Sequence, residues 1–330
     1  MSNAEARSSS LPSRRDILAL GAGAFVVAML PLLRRRDRLV RRTVPVMGTL
    51  GEFAVLHHDR RFAHGALDAA AAELVRVERM LTRFSDTSDV GRVNRHAARE
   101  AVVVSEETAR VIEAGLEWAV ATGGAFDPSV GAIVELWDVT HRHEPPPERA
   151  VRRLAGRGFY RSVDLGRVRG GVAVRLSDPE VRIDLGGIAV GYGVDRAVQV
   201  LRDWGIRRGL VNVGGDIYAM GASEDGDPWR IGVRSADDPA KLVGDVALED
   251  AAVTTSGDYF QYFEYGGRRY HHLMDPASAA PAQAPWHSVT VRADGCMTAD
   301  AAATAAFVLG DRAAEVLPKA GGNVRIVSVI

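Results

Sequence analysis

Between Arg61 and Arg83, apolar residues recur with helical spacing: Leu67, Leu74, Val77 and Leu81 share one face, which predicts a long helix. Ahead of it, Val44 to Leu56 reads as a strand pair broken at Met47-Gly48-Thr49. Phe84 to Arg95 is a polar turn region leading into a short helix. A further helix opens at Ser105, an N-cap residue type, with Glu106 and Glu107 in the first turn, where negative charge favours the macrodipole. It runs to about Ala121 and stops at Gly123-Gly124. His141 to Pro147 is a loop, and Ser162 to Asp184 reads as short antiparallel strands. Val181 to Ala219 predicts strand, glycine turn, helix, strand, glycine turn, strand. Tyr259 to Tyr270 is a hairpin around Gly266-Gly267, and His287 to Arg292 is a strand. Thr298 begins a helix ending near Gly310, followed by a second helix and a last strand, Val324 to Ile330. Strands and helices mix without a strict βαβ rhythm. The expectation is an α+β fold with mixed sheets, packed helices and two intimately associated subdomains.

The first 42 residues read differently. Arg14-Arg15 precede an apolar, Gly/Ala-rich run from Ala19 to Leu33, which resembles a twin-arginine export signal. A basic flank follows, with Arg34, Arg35, Arg36, Arg38, Arg41 and Arg42. The apolar run is at the short limit for a bilayer span of ~20 residues, and positive charge stays on the cytoplasmic side. The expectation is an export signal or anchor over 1–42 and a catalytic domain over 43–330, facing the periplasm or the outer face of the cytoplasmic membrane. An anchor facing the cytoplasm is the other arrangement.

Composition narrows the classes. The chain has 330 residues, 47% hydrophobic and 25% charged, with a net charge of −1. That balance is ordinary for a globular domain and offers no global field for nucleic acid. The single cysteine, Cys296, excludes an intramolecular disulfide, a zinc cluster and a CxxC redox pair.

Candidate chemistry gathers at the glycine turns. Asp184 precedes Gly186-Gly187, and Gly214-Gly215 precede Asp216. Glycine admits a close backbone approach, and a helix opening after such a turn offers N–H groups to an anion. The pattern suggests a phosphate-bearing ligand beside a carboxylate. It equally fits strand–helix joints that need glycine for tight turns, and no nucleotide fingerprint of the GxGxxG or GxxxxGK[ST] kind is present. Asp300 and Thr304 share a helix face and suit a hard cation such as Mg²⁺. They also fit a first-turn acid and a back-bonding threonine. Phe126 and Asp127 follow a helix end and offer a stacking ring and an acceptor for a ring N–H, or simply an Asp-Pro turn with a core phenylalanine. His272 lies near Asp275 and is a candidate base; His271 points to the opposite strand face, so at most one of the two serves a site.

Taken in order, these segments resemble the ApbE family of FAD:protein FMN transferases. The landmarks are Met47-Gly48-Thr49, Gly91-Arg92-Val93-Asn94, GGAFDPSVG from Gly123, DLGGIAVGYGVDRA from Asp184, LVNVGGDI from Leu210, TSGDY from Thr255, RRYHHLMDP from Arg268 and TADAAATAAFVLG from Thr298. The resemblance implies an enzyme that binds FAD with Mg²⁺ and transfers FMN to a threonine hydroxyl of a partner protein, releasing AMP. By the same resemblance Met47, Ala125, Phe126, Asp127, Asp184 and Val190 line the FAD site. Asp300, Thr304 and a backbone carbonyl near Gly187 hold Mg²⁺, and His272 lies near the reacting phosphate; His272 and Asp300 are the catalytic candidates. The implied partner is a flavin-acceptor protein such as a membrane redox complex or flavocytochrome. Two positions depart from the family pattern: Val190 stands where lysine is common, and Ala277-Ser278-Ala279 replaces Arg-Thr-Gly. Arg196 and Arg92 are candidates for the missing positive charge. The departures motivate an alternative, an exported FAD-binding protein or FAD pyrophosphatase without transfer activity.

Overall fold

The computed structural model describes residues 37–330 apart from 237 and 239, together with two short strands, Ile17–Ala19 and Phe25–Ala28. Arg14-Arg15 and most of the apolar leader lie outside the described residues.

Seven strands form the central sheet: β1 (Arg38–Val46), β2 (Thr49–His57), β3 (Gly209–Val213), β4 (Asp216–Met220), β5 (Ala251–Gly257), β6 (Ser288–Ala293) and β7 (Arg325–Val329). They lie side by side in chain order, and every neighbouring pair is antiparallel. β1 starts at Arg38, earlier than the apolar pattern suggests, so Arg38, Arg41 and Arg42 belong to the first hairpin. Its turn is Met47-Gly48, with φ of 53° and 72°, the left-handed pair that matches the twist of a tight hairpin.

Residues on β3 and β4 are buried on both faces. Val211, Val213, Tyr218 and Met220 enter the larger core; Leu210, Ile217 and Ala219 enter a second cluster on the other face. That split follows the two-residue period of a strand. On the first face lie α1 (Arg60–Leu81), α4 (Ala189–Asp203) and α5 (Cys296–Leu309). The hairpin of Trp229–Arg234 and Leu242–Leu248 covers the second face. α1 buries Leu67, Leu74, Val77 and Leu81, as its spacing predicts, and Asp59 caps its N-terminus.

A smaller layer is built from α2 (Asp89–His96), α3 (Glu106–Ala121) and a three-stranded sheet of Val102–Val104, Gly171–Leu176 and Val163–Val168. Ser105 caps α3 by accepting from the Thr108 amide. Val102, Val174 and Ile112 of this layer join the larger core, so the two units share one hydrophobic interior. This is an α+β molecule with packed helices, and the sheets expected to be mixed are antiparallel among the described strands. One expected strand is missing: Val181–Ile183 makes only a single parallel bridge, Val130 to Arg182. Side-chain and loop contacts from Asn94 and Pro128 take the place of a ladder there.

Candidate active site

Three sequence-distant segments meet at the turn before α4. Gly131 N–H donates to the Arg182 carbonyl at 2.9 Å, and Asp184 N–H donates to Pro128 at 2.8 Å. Asn94 of α2 brackets Ile183: its amide nitrogen donates to the Ile183 carbonyl at 2.8 Å, and its oxygen accepts from the Ile183 N–H at 2.6 Å. The GGAFDPSVG loop, the Asn94 motif and the Asp184 turn are thus one unit.

Gly187 is wedged between this unit and α5. A Cβ there would stand 2.9 Å from Thr304 Oγ1 and 3.3 Å from the Phe126 ring. Its φ is not positive, so packing against Thr304 demands glycine here rather than backbone conformation. Phe126 is buried and fills the core side of this contact; Ala125 beside it is half-buried. Asp127 is buried and accepts from the Ser129 N–H at 2.8 Å, the Ser129 hydroxyl and the Tyr160 N–H at 3.2 Å. Asp127 thus ties its loop to Tyr160, and Phe126 ties it to the Gly187 turn. Met47 reaches α4 from the first hairpin: a Cβ on Gly193 would lie 3.1 Å from its sulfur. Val190 is half-buried in the first turn of α4 and packs on the larger core.

The helix N-terminus does offer an amide to an anion, but the anion is internal. Asp300 of α5 accepts from the Gly191 N–H at 3.1 Å. Asp195 of α4 returns the contact, accepting from Cys296 N–H at 2.8 Å and Met297 N–H at 2.9 Å. Each helix is capped by the other's carboxylate, which satisfies orphan amides and complements both dipoles. Gly191 allows the close approach, since a Cβ would be 2.4 Å from the Cys296 carbonyl oxygen.

Asp216, after the second glycine turn, reaches the same place and hydrogen-bonds Asp300. Burial pushes Asp216 up to about 7, and burial together with the Asp216 charge pushes Asp300 well above the usual carboxylate range. Two carboxyls this close cannot both ionise without a cation. Asp300 and Thr304, one turn apart on α5, thus face Gly187 and the start of α4, and Asp216 meets Asp300 from the second glycine turn.

Asp184 is held on both oxygens: Oδ1 accepts from Gly186 N–H at 2.9 Å, and Oδ2 pairs with Arg83 Nε at 3.0 Å. The Arg83 guanidinium also lies 4.4 Å over the ring of Phe84, which is 83% exposed. Sequence reasoning missed Arg83, Phe84 and Asp195, because nothing in local spacing ties them to the turn. Arg196 and Arg92 do not supply a free cation: Arg196 binds Glu73 at 2.9 Å, and Arg92 donates to Asp89 and to the Val103 carbonyl.

His272 follows the hairpin of Tyr262–Tyr265 and Arg268–His271. It is half-buried, with Nδ1 3.4 Å from the Gln261 carbonyl. Burial, with His271 adding to it, pushes its imidazole down to about 4. Asp275 is not its partner: that carboxylate accepts from the Ala277 and Ser278 amides at 2.9 and 3.2 Å. His271 is the one turned toward α5, edge-on to Phe307 at 5.4 Å and bonded to the Ala282 carbonyl. In the adjoining loop Ala279 has φ of 53°, a conformation that favours glycine.

Comparison with known proteins agrees with this architecture. The ApbE family model matches residues 47–327. FAD:protein FMN transferase from Treponema pallidum is 34% identical, over 84% of this chain and 80% of that protein. The Vibrio cholerae protein of the same name is 33% identical, over 72% of this chain and 71% of its own length. Among solved structures, the ApbE protein of Thermotoga maritima superposes with a TM-score of 0.80 at 32% identity, covering 89% of this chain and 96% of that one. The flavin transferase ApbE from Vibrio cholerae gives 0.74 at 28% identity, covering 88% and 93%. The chain belongs to the ApbE family.

Proposed function

We propose that this chain is a Mg²⁺-dependent FAD:protein FMN transferase that places FMN on a threonine hydroxyl of a partner protein and releases AMP. The observation that carries the reading is the packing of Thr304 and Asp300 of α5 against Gly187 and the N-terminus of α4. It builds one oxygen-lined corner beside the Asp184 turn.

The donor set fits a hard divalent cation, which prefers oxygen ligands. Asp300 faces other carboxylates and one amide, so its negative charge calls for positive compensation. Asp300, Thr304 and the Gly187 carbonyl would hold the ion. A cation held there would supply positive charge to offset that of the FAD pyrophosphate. The chain's own residues do the rest. Asp184 presents a fixed acceptor for a ring N–H, with Met47, Ala125 and Phe126 forming the wall and Asp127 shaping the loop. His272, held neutral, is in the form that accepts a proton from the threonine hydroxyl. The threonine oxygen then bonds to the FMN phosphorus as the bond from that phosphorus to the bridging oxygen breaks. The electron pair leaves with AMP.

Mass spectrometry of a threonine-bearing acceptor domain incubated with FAD and Mg²⁺ tests this. An FMN adduct on threonine is expected; FAD binding with no adduct would refute transfer. The replaced loop at Ala277–Ala279, with Ala279 in a left-handed conformation, favours one second reading, FAD hydrolysis. Release of AMP and free FMN without acceptor would support that instead. We further propose, from Arg14-Arg15 and the apolar run, that the enzyme is exported and acts on a membrane redox complex or flavocytochrome.

A further inference from the structure

We infer that Arg83 is a positioning residue for flavin recognition, acting through Asp184; this rests on the transferase reading above. The turn itself does not need Arg83. Asn94 holds Ile183 by two hydrogen bonds, Asp184 N–H is bound to Pro128, and Arg182 is bound to Gly131. What Arg83 adds is side-chain orientation. Its Nε fixes Asp184 Oδ2 at 3.0 Å, while the Gly186 amide fixes Oδ1 at 2.9 Å. Each carboxylate oxygen keeps acceptor capacity for one more donor. The guanidinium is held in turn by Glu135 at 3.5 Å and by the Phe84 ring at 4.4 Å. Arg83 is 20% exposed and Asp184 14%, so the pair is shielded enough to keep one geometry.

Beside it, Phe84 offers an exposed flat face. A ligand with flat rings and ring N–H donors meets in one place a stacking surface and a fixed acceptor. A planar fork does this better than an ammonium, because it binds the carboxylate and lies on the ring at once.

The test compares Arg83→Ala, Arg83→Lys, Asp184→Ala and the Arg83→Ala/Asp184→Ala double variant. Flavin fluorescence quenching gives FAD affinity, steady-state transfer separates KM from kcat, and thermal unfolding reports the fold. Arg83→Ala is expected to raise the FAD Kd and KM about tenfold or more, the scale of one charge-assisted hydrogen bond. kcat and the unfolding temperature stay close to wild type, and lysine recovers only part of the affinity. The double variant is expected to be no weaker than Asp184→Ala, because the two residues act as one. Unchanged affinity in Arg83→Ala overturns the assignment. So do additive losses in the double variant, and a loss that tracks a lowered unfolding temperature. Wild-type protein that binds no FAD overturns the transferase reading itself, which keeps the two failures distinct.

Discussion

Burial holds the His272 imidazole neutral down to about pH 4, against an ordinary histidine near 6.5. Between those values the unfolded chain binds a proton that the folded chain does not. Stability from this residue is therefore constant above about pH 6.5 and falls as pH drops toward 4. His272→Gln removes that slope: its unfolding temperature should decline less than wild type between about pH 6.5 and 4.5, as checked by thermal melts across that range. An equal decline would show that the ring is not buried as a neutral base. Residue chemistry was only partly legible beforehand. The pairing of Asp300 with Thr304 followed from helical spacing. The expected partnership of His272 with Asp275 did not hold, because Asp275 closes its own turn by binding Ala277 and Ser278. Short-range hydrogen bonding competes for aspartate wherever the chain turns.

At the scale of elements, the reciprocal caps between α4 and α5 set the site. Neither helix has a side-chain cap of its own: Ile188 and Gly295 occupy those positions. Asp300 and Asp195 serve across the interface instead. Asp195→Ala should cost about 1–2 kcal/mol, the range for losing an N-cap. Gly191→Ala should cost about 2 kcal/mol or more, because its Cβ meets the Cys296 carbonyl in a packed interface. Denaturant unfolding measures both, and a neutral Gly191→Ala would mean that the helices are not so closely apposed. Helix α5 begins at Cys296, two residues ahead of the expected Thr298 start, because Asp195 receives its first amides. Long elements such as α1 were readable from apolar spacing. The strand expected at Val181–Ile183 was not formed, since Asn94 and the Pro128 loop take its backbone groups.

For the whole molecule, one shared core joins the small layer to the central sheet, so loop and helix residues from distant sequence meet without a hinge. Removing divalent ions should then stop transfer while leaving far-UV circular dichroism unchanged. Without a cation the Asp216–Asp300 pair can share a proton and remain folded. Unfolding on chelation, or full activity in chelator, would contradict this arrangement. The sheet runs in chain order from β1 to β7, with most helices inserted between β2 and β3. That insertion carries both Phe126 and Asp184, and Thr304 joins them from α5, which follows β6.

The sequence alone determined the α+β class, the long helix α1, the hairpins at Met47-Gly48 and Gly266-Gly267, and the Asp300–Thr304 face. Each depends on local period or turn chemistry. Only the tertiary structure decided which carboxylates meet. Asp216 reaches Asp300, Asp195 caps α5, and Arg83 reaches Asp184 through packing of elements distant in sequence. Spacing carries no information about such contacts, because they are set by how closely two helices and a turn can approach. Here that approach depends on the missing side chains of Gly187 and Gly191.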